Sequence, residues 1–245
     1  MKRVKSRLLL ALPAPVRRMI LDRQKRTRML NKLQAAEGAG SHYSLDTVHR
    51  HRCVFVHIPR TAGVALTTAL FDNLAGGHLK AVNYRFLLGE KRFRSYFKFS
   101  FVRNPWDRLV SAFHFLRSSP WPDDREWFER NLSQYRSFEE FVQGWICEEN
   151  VLEKVHFTPQ WRFLYSRDGE ECLVDFLGRF ENLGRDFEVI ATRLGLSKQL
   201  QQKNESSRKP YQECYSDTTR EIVGRVYQKD VELFGYSFEA APRGS

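Results

Sequence analysis

Hydrophobic and polar positions alternate between two regimes along the chain. Three short, nearly continuous apolar runs read as buried strands: Cys53-Val54-Phe55-Val56-His57-Ile58, then Tyr96-Phe97-Lys98-Phe99-Ser100-Phe101-Val102, then Leu173-Val174-Asp175-Phe176-Leu177. Each is followed by turn chemistry and a helical pattern, which is how a parallel sheet with crossover helices is written in sequence. After the first run, Pro59 and Gly63 lead into a helix expected to reach about Leu74. After the second, Asn104-Pro105 supplies an N-cap with proline at the first helical position. In that helix Trp106, Leu109, Val110 and Phe113 recur at i, i+3, i+4 and i+7 and form its core face. A last helical element is expected from Ser216-Asp217 to about Phe234, burying Ile222, Val223, Val226, Tyr227 and Leu233.

Upstream of the first strand the pattern differs. Val16 to Leu33 carries a broken apolar stripe, and Gly38-Ala39-Gly40-Ser41 breaks it. The expected organisation is a basic helical arm and linker over residues 1–50, a globular domain over 51–239 and a disordered tail over 240–245. With 245 residues and 42% hydrophobic content, the chain has enough material for one well-buried α/β domain.

Charge changes this picture only at the N-terminus. The formal net charge is +11, but residues 1–32 hold eleven Lys or Arg against the single acid Asp22. That arm therefore carries +10 and the remainder +1, so the high pI says nothing about the ligand of the main domain. Residues 1–32 are suited to peripheral contact with an anionic membrane, and nucleic acid is not expected as the main partner. Leu8-Leu9-Leu10-Ala11-Leu12 is cut off by Pro13, Pro15 and Arg17-Arg18, and no run approaches the ~20 apolar residues of a spanning helix. On this reading the expected location is cytoplasmic, without a signal peptide or a transmembrane helix. The four cysteines are far apart and show no zinc-ligand spacing, so no metal is expected.

The sharpest chemical feature is strand, then Pro59-Arg60-Thr61-Ala62-Gly63, then helix. A helix N-terminus offers unpaired N–H groups and the positive end of a dipole, Gly63 lets the backbone approach closely, and Arg60 adds a permanent charge. It is not a nucleoside-triphosphate loop of the G-x-x-x-x-G-K-[ST] type, because Gly63 is followed by Val64-Ala65. A second feature, Phe101 to Phe113, places Arg103 at the carboxyl end of a strand, where open parallel sheets bind ligands. Ser111 falls off the apolar stripe of the following helix, so both residues are free for polar contacts to one anion; the alternative is an Arg103 paired to Asp107.

Together HIPRTAG and FVRNPWDRLVSAF resemble the carbohydrate sulfotransferase superfamily, in particular the branch of chondroitin and dermatan 4-O-sulfotransferases and bacterial relatives. The resemblance continues through His156-Phe157-Thr158-Pro159-Gln160, Val174 to Leu183, Asn204 to Tyr211, and Lys229 to Tyr236. It implies a P-loop-NTPase-like three-layer α/β fold, with a central parallel sheet flanked by helices. It also implies the donor 3′-phosphoadenosine 5′-phosphosulfate, the product adenosine 3′,5′-bisphosphate, and a carbohydrate acceptor, with anionic glycans among the candidates. By position, Arg60, Thr61, Ala62, Gly63, Val64 and Ala65 would hold the 5′-phosphosulfate. Arg103 and Ser111 would clamp the 3′-phosphate, and Ser206 and Arg208 would close over the nucleotide. The family usually has Lys where this chain has Arg60, and hydroxyl residues where it has Val64-Ala65. Arg60 would offset charge on the leaving oxygen. His78 is the preferred catalytic base, and His156 the second candidate, in a segment that would line the acceptor cleft. Trp121 is placed to stack on a sugar ring.

Overall fold

The computed structural model describes residues 45–73, 77–200 and 209–239, together with Val16, Met19, Arg23, Gln24, Thr27 and Arg28. Most of the basic arm, Ser206 and Arg208, and residues 240–245 lie outside the described residues. The first described element of the domain is helix α1 (Leu45–His51), within the stretch expected to be linker. Val48 of this helix is completely buried in the main core, so α1 packs as part of the domain.

Strand β1 (Cys53–Val56) follows, then α2 (Gly63–Phe71), α3 (Ala81–Leu88), α4 (Glu90–Ser95) and β2 (Phe97–Val102). Helices α5 (Pro105–Arg117), α6 (Pro122–Asn131), α7 (Phe138–Trp145) and the short α8 (Trp161–Leu164) lead to β3 (Phe176–Arg179). Then come α9 (Leu183–Arg193), α10 (Asp217–Val226) and α11 (Gln228–Phe234). The strands form a parallel sheet in the order β1-β2-β3, with Cys53 opposite Phe97 and Val102 opposite Arg179. Parallel neighbours need crossovers, and the intervening helices supply them, so the architecture is α/β with a parallel sheet flanked by helices, as expected.

Two apolar clusters hold the elements together. One surrounds the sheet and includes Phe55, Phe99, Phe101 and Phe163, all fully buried. The other joins α5, α6, α7 and α10 through Trp106, Phe113, Phe141, Phe157 and Tyr227. Burying each such aromatic contributes roughly 1.5–3 kcal/mol, which makes these rings the main cohesive material.

Three expectations need correction. The third strand begins at Phe176, because Leu173 N–H is taken by Leu164 O and the Asp175 carboxylate accepts from Lys98 N–H at 2.8 Å. Asp175 therefore caps the ladder. The first helix stops at Phe71, where Asp72 turns left-handed (φ 55°). The last helical element is two helices broken at Tyr227, whose buried hydroxyl donates to Phe157 O at 2.7 Å. Past that bend Leu233 is 40% exposed and not in the core. No helix among the described residues is long and apolar enough to cross a membrane.

Candidate functional site

The loop between β1 and α2 is held in an uncommon backbone shape. Arg60 (φ 71°) and Ala62 (φ 63°) both adopt the left-handed region without being glycine, which costs on the order of 1 kcal/mol or more each. Two hydrogen bonds sustain it. The buried Thr61 hydroxyl donates to Ile58 O at 2.9 Å, and Arg103 Nη1 donates to Arg60 O at 3.1 Å. The first helical bond of α2 runs from Leu66 N–H to Ala62 O, so the N–H groups of Gly63, Val64 and Ala65 precede the helix ladder and face its open end. Thr61 is completely buried with its side chain turned inward, so its hydroxyl is not offered to a ligand. Val64 is half exposed, without a hydroxyl to offer.

Gly63 has a steric role that composition does not reveal. A Cβ there would lie 2.1 Å from both Cδ2 and Nε2 of His57, so the glycine makes room for that imidazole. His57 in turn supports His78: their ring centroids are 4.4 Å apart, and His78 Nδ1 lies 3.2 Å from His57 O. A carbonyl oxygen only accepts, so Nδ1 carries the proton and Nε2 keeps its lone pair. Burial lowers the His78 pKa, only partly opposed by the His57 hydrogen bond and the Asp124 charge, so the ring is neutral at pH 7.

His156 closes the same cluster. It is 7% exposed, its ring meets His78 edge-on at 5.8 Å and packs on Phe115 at 5.3 Å. Burial pushes its pKa well below the usual imidazole range. Its Nδ1 is buried and makes no hydrogen bond among the described residues. The Arg60 guanidinium lies over the same Phe115 ring, 4.3 Å from its centroid, and its Nε donates to Ser111 Oγ at 3.1 Å. Arg60, Ser111, His78 and His156, chosen from sequence, are thus brought into one cluster with Phe115.

The second motif forms the neighbouring wall. Arg103 is 6% exposed, lies 3.9 Å above the Phe180 ring, and pairs through Nε with Asp107 Oδ2 at 2.7 Å. In this structure Ser111 accepts from Arg60, while Arg103 pairs with Asp107 and donates to the loop carbonyl of Arg60. Gln160 clamps the strand end, accepting from Arg103 N–H at 2.9 Å and donating to Arg103 O at 2.8 Å. Asn104 caps α5, and its own N–H donates to Glu181 Oε1 at 2.7 Å. The His156–Gln160 segment is fixed from beneath by Arg108, which donates to His156 O and Thr158 O. Asp230 completes the support by accepting from Gln160 N–H and Trp161 N–H. Trp121, 58% exposed, stands at the start of α6, outside this cluster.

Sequence reading missed Phe115, Asp124, Gln160 and Asp230. Gln160 was visible as part of a motif but without a role; Phe115 reads as ordinary core, and Asp124 as an acid in the first turn of a helix. Among the described residues, no three His, Cys, Asp or Glu side chains converge as a metal site.

The sequence model of the sulfotransferase family matches residues 44–237, from just before α1 to just past α11. The chain belongs to the sulfotransferase family. An uncharacterised protein of Archaeoglobus fulgidus is 31% identical over 114 residues, covering 46% of this chain and 79% of that protein. Carbohydrate sulfotransferase 12 of Xenopus laevis is 27% identical over 174 residues, 59% of this chain and 41% of the relative. Carbohydrate sulfotransferase 11 of Rattus norvegicus is 24% identical over 173 residues, 60% of this chain and 48% of the relative. The chain thus spans less than half the length of these two carbohydrate sulfotransferases. No solved structure matches it. Within the family match fall the loop with Arg60, the Arg103 corner and both histidines of the cluster.

Proposed function

We propose that the protein transfers a sulfuryl group from 3′-phosphoadenosine 5′-phosphosulfate to a hydroxyl of a carbohydrate acceptor. The observation that carries this reading is the convergence of a fixed cation, Arg60, and two neutral histidines at the open end of α2. The donor set fits a nucleotide bearing phosphate and sulfate: two arginines, a helix N-terminus and a serine hydroxyl, with no carboxylate in the Pro59–Gly63 loop. Arg60 and the N–H groups from Thr61 to Ala65 would hold the phosphosulfate, and Arg103 and Ser111 the 3′-phosphate. Ser206 and Arg208 are assigned to the nucleotide by motif position alone. The nucleotide supplies an activated sulfur–oxygen bond.

His78 is suited to remove the acceptor proton, because Nε2 is its basic nitrogen and the ring is uncharged at neutral pH. Arg60 stays charged throughout and offsets negative charge gathering on the leaving oxygen. Phe115 and Ser111 fix the guanidinium from a face and an edge, so little reorganisation is needed during the reaction. His156 and the exposed Trp121 are assigned to the acceptor side.

The test is thermal unfolding with millimolar adenosine 3′,5′-bisphosphate. Saturating ligand at about a hundredfold over Kd stabilises by about 2.7 kcal/mol, and each kcal/mol raises Tm by about 2–4 °C for a chain of this size. Arg103→Ala should abolish that rise; a wild-type protein that does not respond overturns the reading. A second reading, a nucleotide-binding protein that does not turn over, is favoured by Val64 and Ala65, which offer no hydroxyl at the start of α2. Bisphosphate binding without sulfate transfer to any glycan would select it.

A further inference from the structure

Asp124 occupies a position that the sulfotransfer reading leaves unused. It sits in the first turn of α6, and its side chain is only 17% exposed. Its Oδ1 binds Lys154 Nζ at 2.7 Å, and its Oδ2 stands 3.9 Å from His156 Nε2. Lys154, 14% exposed, is held over the Trp127 ring of the same helix at 5.3 Å. The carboxylate therefore ties α6 to the segment that carries His156. A pair this sheltered costs desolvation energy and is less screened by solvent, so its geometry matters more than that of an exposed pair.

We propose that Asp124 is a positioning residue for the transfer, acting on His78 through the junction it makes with Lys154 and His156. The inference rests on His78 being the base. Neither ring nitrogen of His156 is hydrogen-bonded to Asp124; its orientation comes from packing between Phe115 and His78, with the carboxylate alongside. Its buried Nδ1 has no hydrogen-bond partner among the described residues. His78 faces His57, His156 and the Asp124 charge; His156 faces Asp124, His78, Lys154 and Arg60. Asp124 is the carboxylate that favours protonation of both rings, against the cations Arg60 and Lys154 and against burial. At His78 its charge opposes the lowering that burial causes, alongside the hydrogen bond to His57 O.

The experiment is a histidine-ring NMR titration of the full chain, paired with the pH dependence of kcat. In Asp124→Asn the His78 midpoint should fall by roughly half a pH unit or more, since an opposite charge nearby is lost. Lys154→Met, which leaves the carboxylate uncompensated, should move it upward, and Asp124→Glu should restore it towards wild type. A residue that only held the fold would lower stability in both variants without opposite displacements. An unchanged His78 midpoint in folded Asp124→Asn overturns the proposal; if that variant does not fold, an unchanged or lowered midpoint in Lys154→Met does so. The kinetic arm decides the separate matter of the base. A titration that moves while the acid limb of kcat stays fixed upholds the Asp124 coupling and removes His78 as the base.

Discussion

At the residue scale, Gly63, His57 and His78 form a stack in which each member fixes the next. Gly63→Ala would drive a methyl into the His57 ring, whose nearest atoms lie 2.1 Å from the new carbon. Overpacking of this kind costs about 1–3 kcal/mol, and here it would also move the carbonyl that orients His78. Chemical denaturation should show the loss of stability, and activity should fall further than stability alone explains. His78→Ala should lower kcat by about 10²–10⁴-fold, the usual span for a general base, while leaving bisphosphate binding intact. His156 adds a pH dependence of stability. Its pKa is lowered in the folded state by burial, so the unfolded chain takes up the proton first. The contribution is fully present above the unfolded value near 6.5 and is lost progressively as pH falls below it. Denaturant midpoints from pH 7 to 5 should therefore drop less in His156→Gln than in wild type.

At the element scale, the turn from β2 into α5 shows what the sequence makes legible. Asn104-Pro105 announced the helix start, and Asn104 Oδ1 does accept from Trp106 N–H at 3.0 Å. That signal is local, written within three residues. The start of β3 and the break at Tyr227 were not legible, because they are set by distant partners: Lys98 for Asp175, and Phe157 for Tyr227. The site divides the same way. Arg60, Ser111, His78 and His156 were readable from residue type and motif, whereas Asp124 and Phe115 gain meaning only when α5 and α6 are brought to the loop. The Arg103–Asp107 pair is one of the two readings that the spacing leaves open, whereas the bond from Arg60 to Ser111 joins segments too far apart in sequence to be read. Gln160→Leu tests the turn itself. It strips partners from Arg103 N–H and C=O, each costing about 1–3 kcal/mol when buried. The unfolding free energy should fall accordingly, and the response to bisphosphate should weaken with it.

At the scale of the whole molecule, two buried charges of opposite sign support the segment that carries His156 and Gln160. Arg108, 1% exposed, and Asp230, completely buried, hold the His156–Gln160 segment from opposite ends. Arg108 leans on the Tyr227 ring at 5.7 Å, at the bend between α10 and α11. Asp230→Ala strands the N–H groups of Gln160 and Trp161, each costing about 1–3 kcal/mol when buried, so the fold should be destabilised accordingly. Thermal unfolding should show it as a Tm lower by several degrees. The support matters because the site is assembled from five separate segments of the described chain: the loop after β1, residues around His78, α5, α6 and the His156–Gln160 stretch.

The central claim is that this assembly moves a sulfuryl group. Its most direct test is transfer of labelled sulfate from 3′-phosphoadenosine 5′-phosphosulfate to a panel of neutral and anionic glycans, run with wild-type protein, Arg60→Ala and His78→Ala. The account predicts labelled glycan with wild type and a loss of at least about a hundredfold with either variant. Labelling that proceeds equally in all three, or no labelling by wild-type protein that binds the bisphosphate, would contradict it.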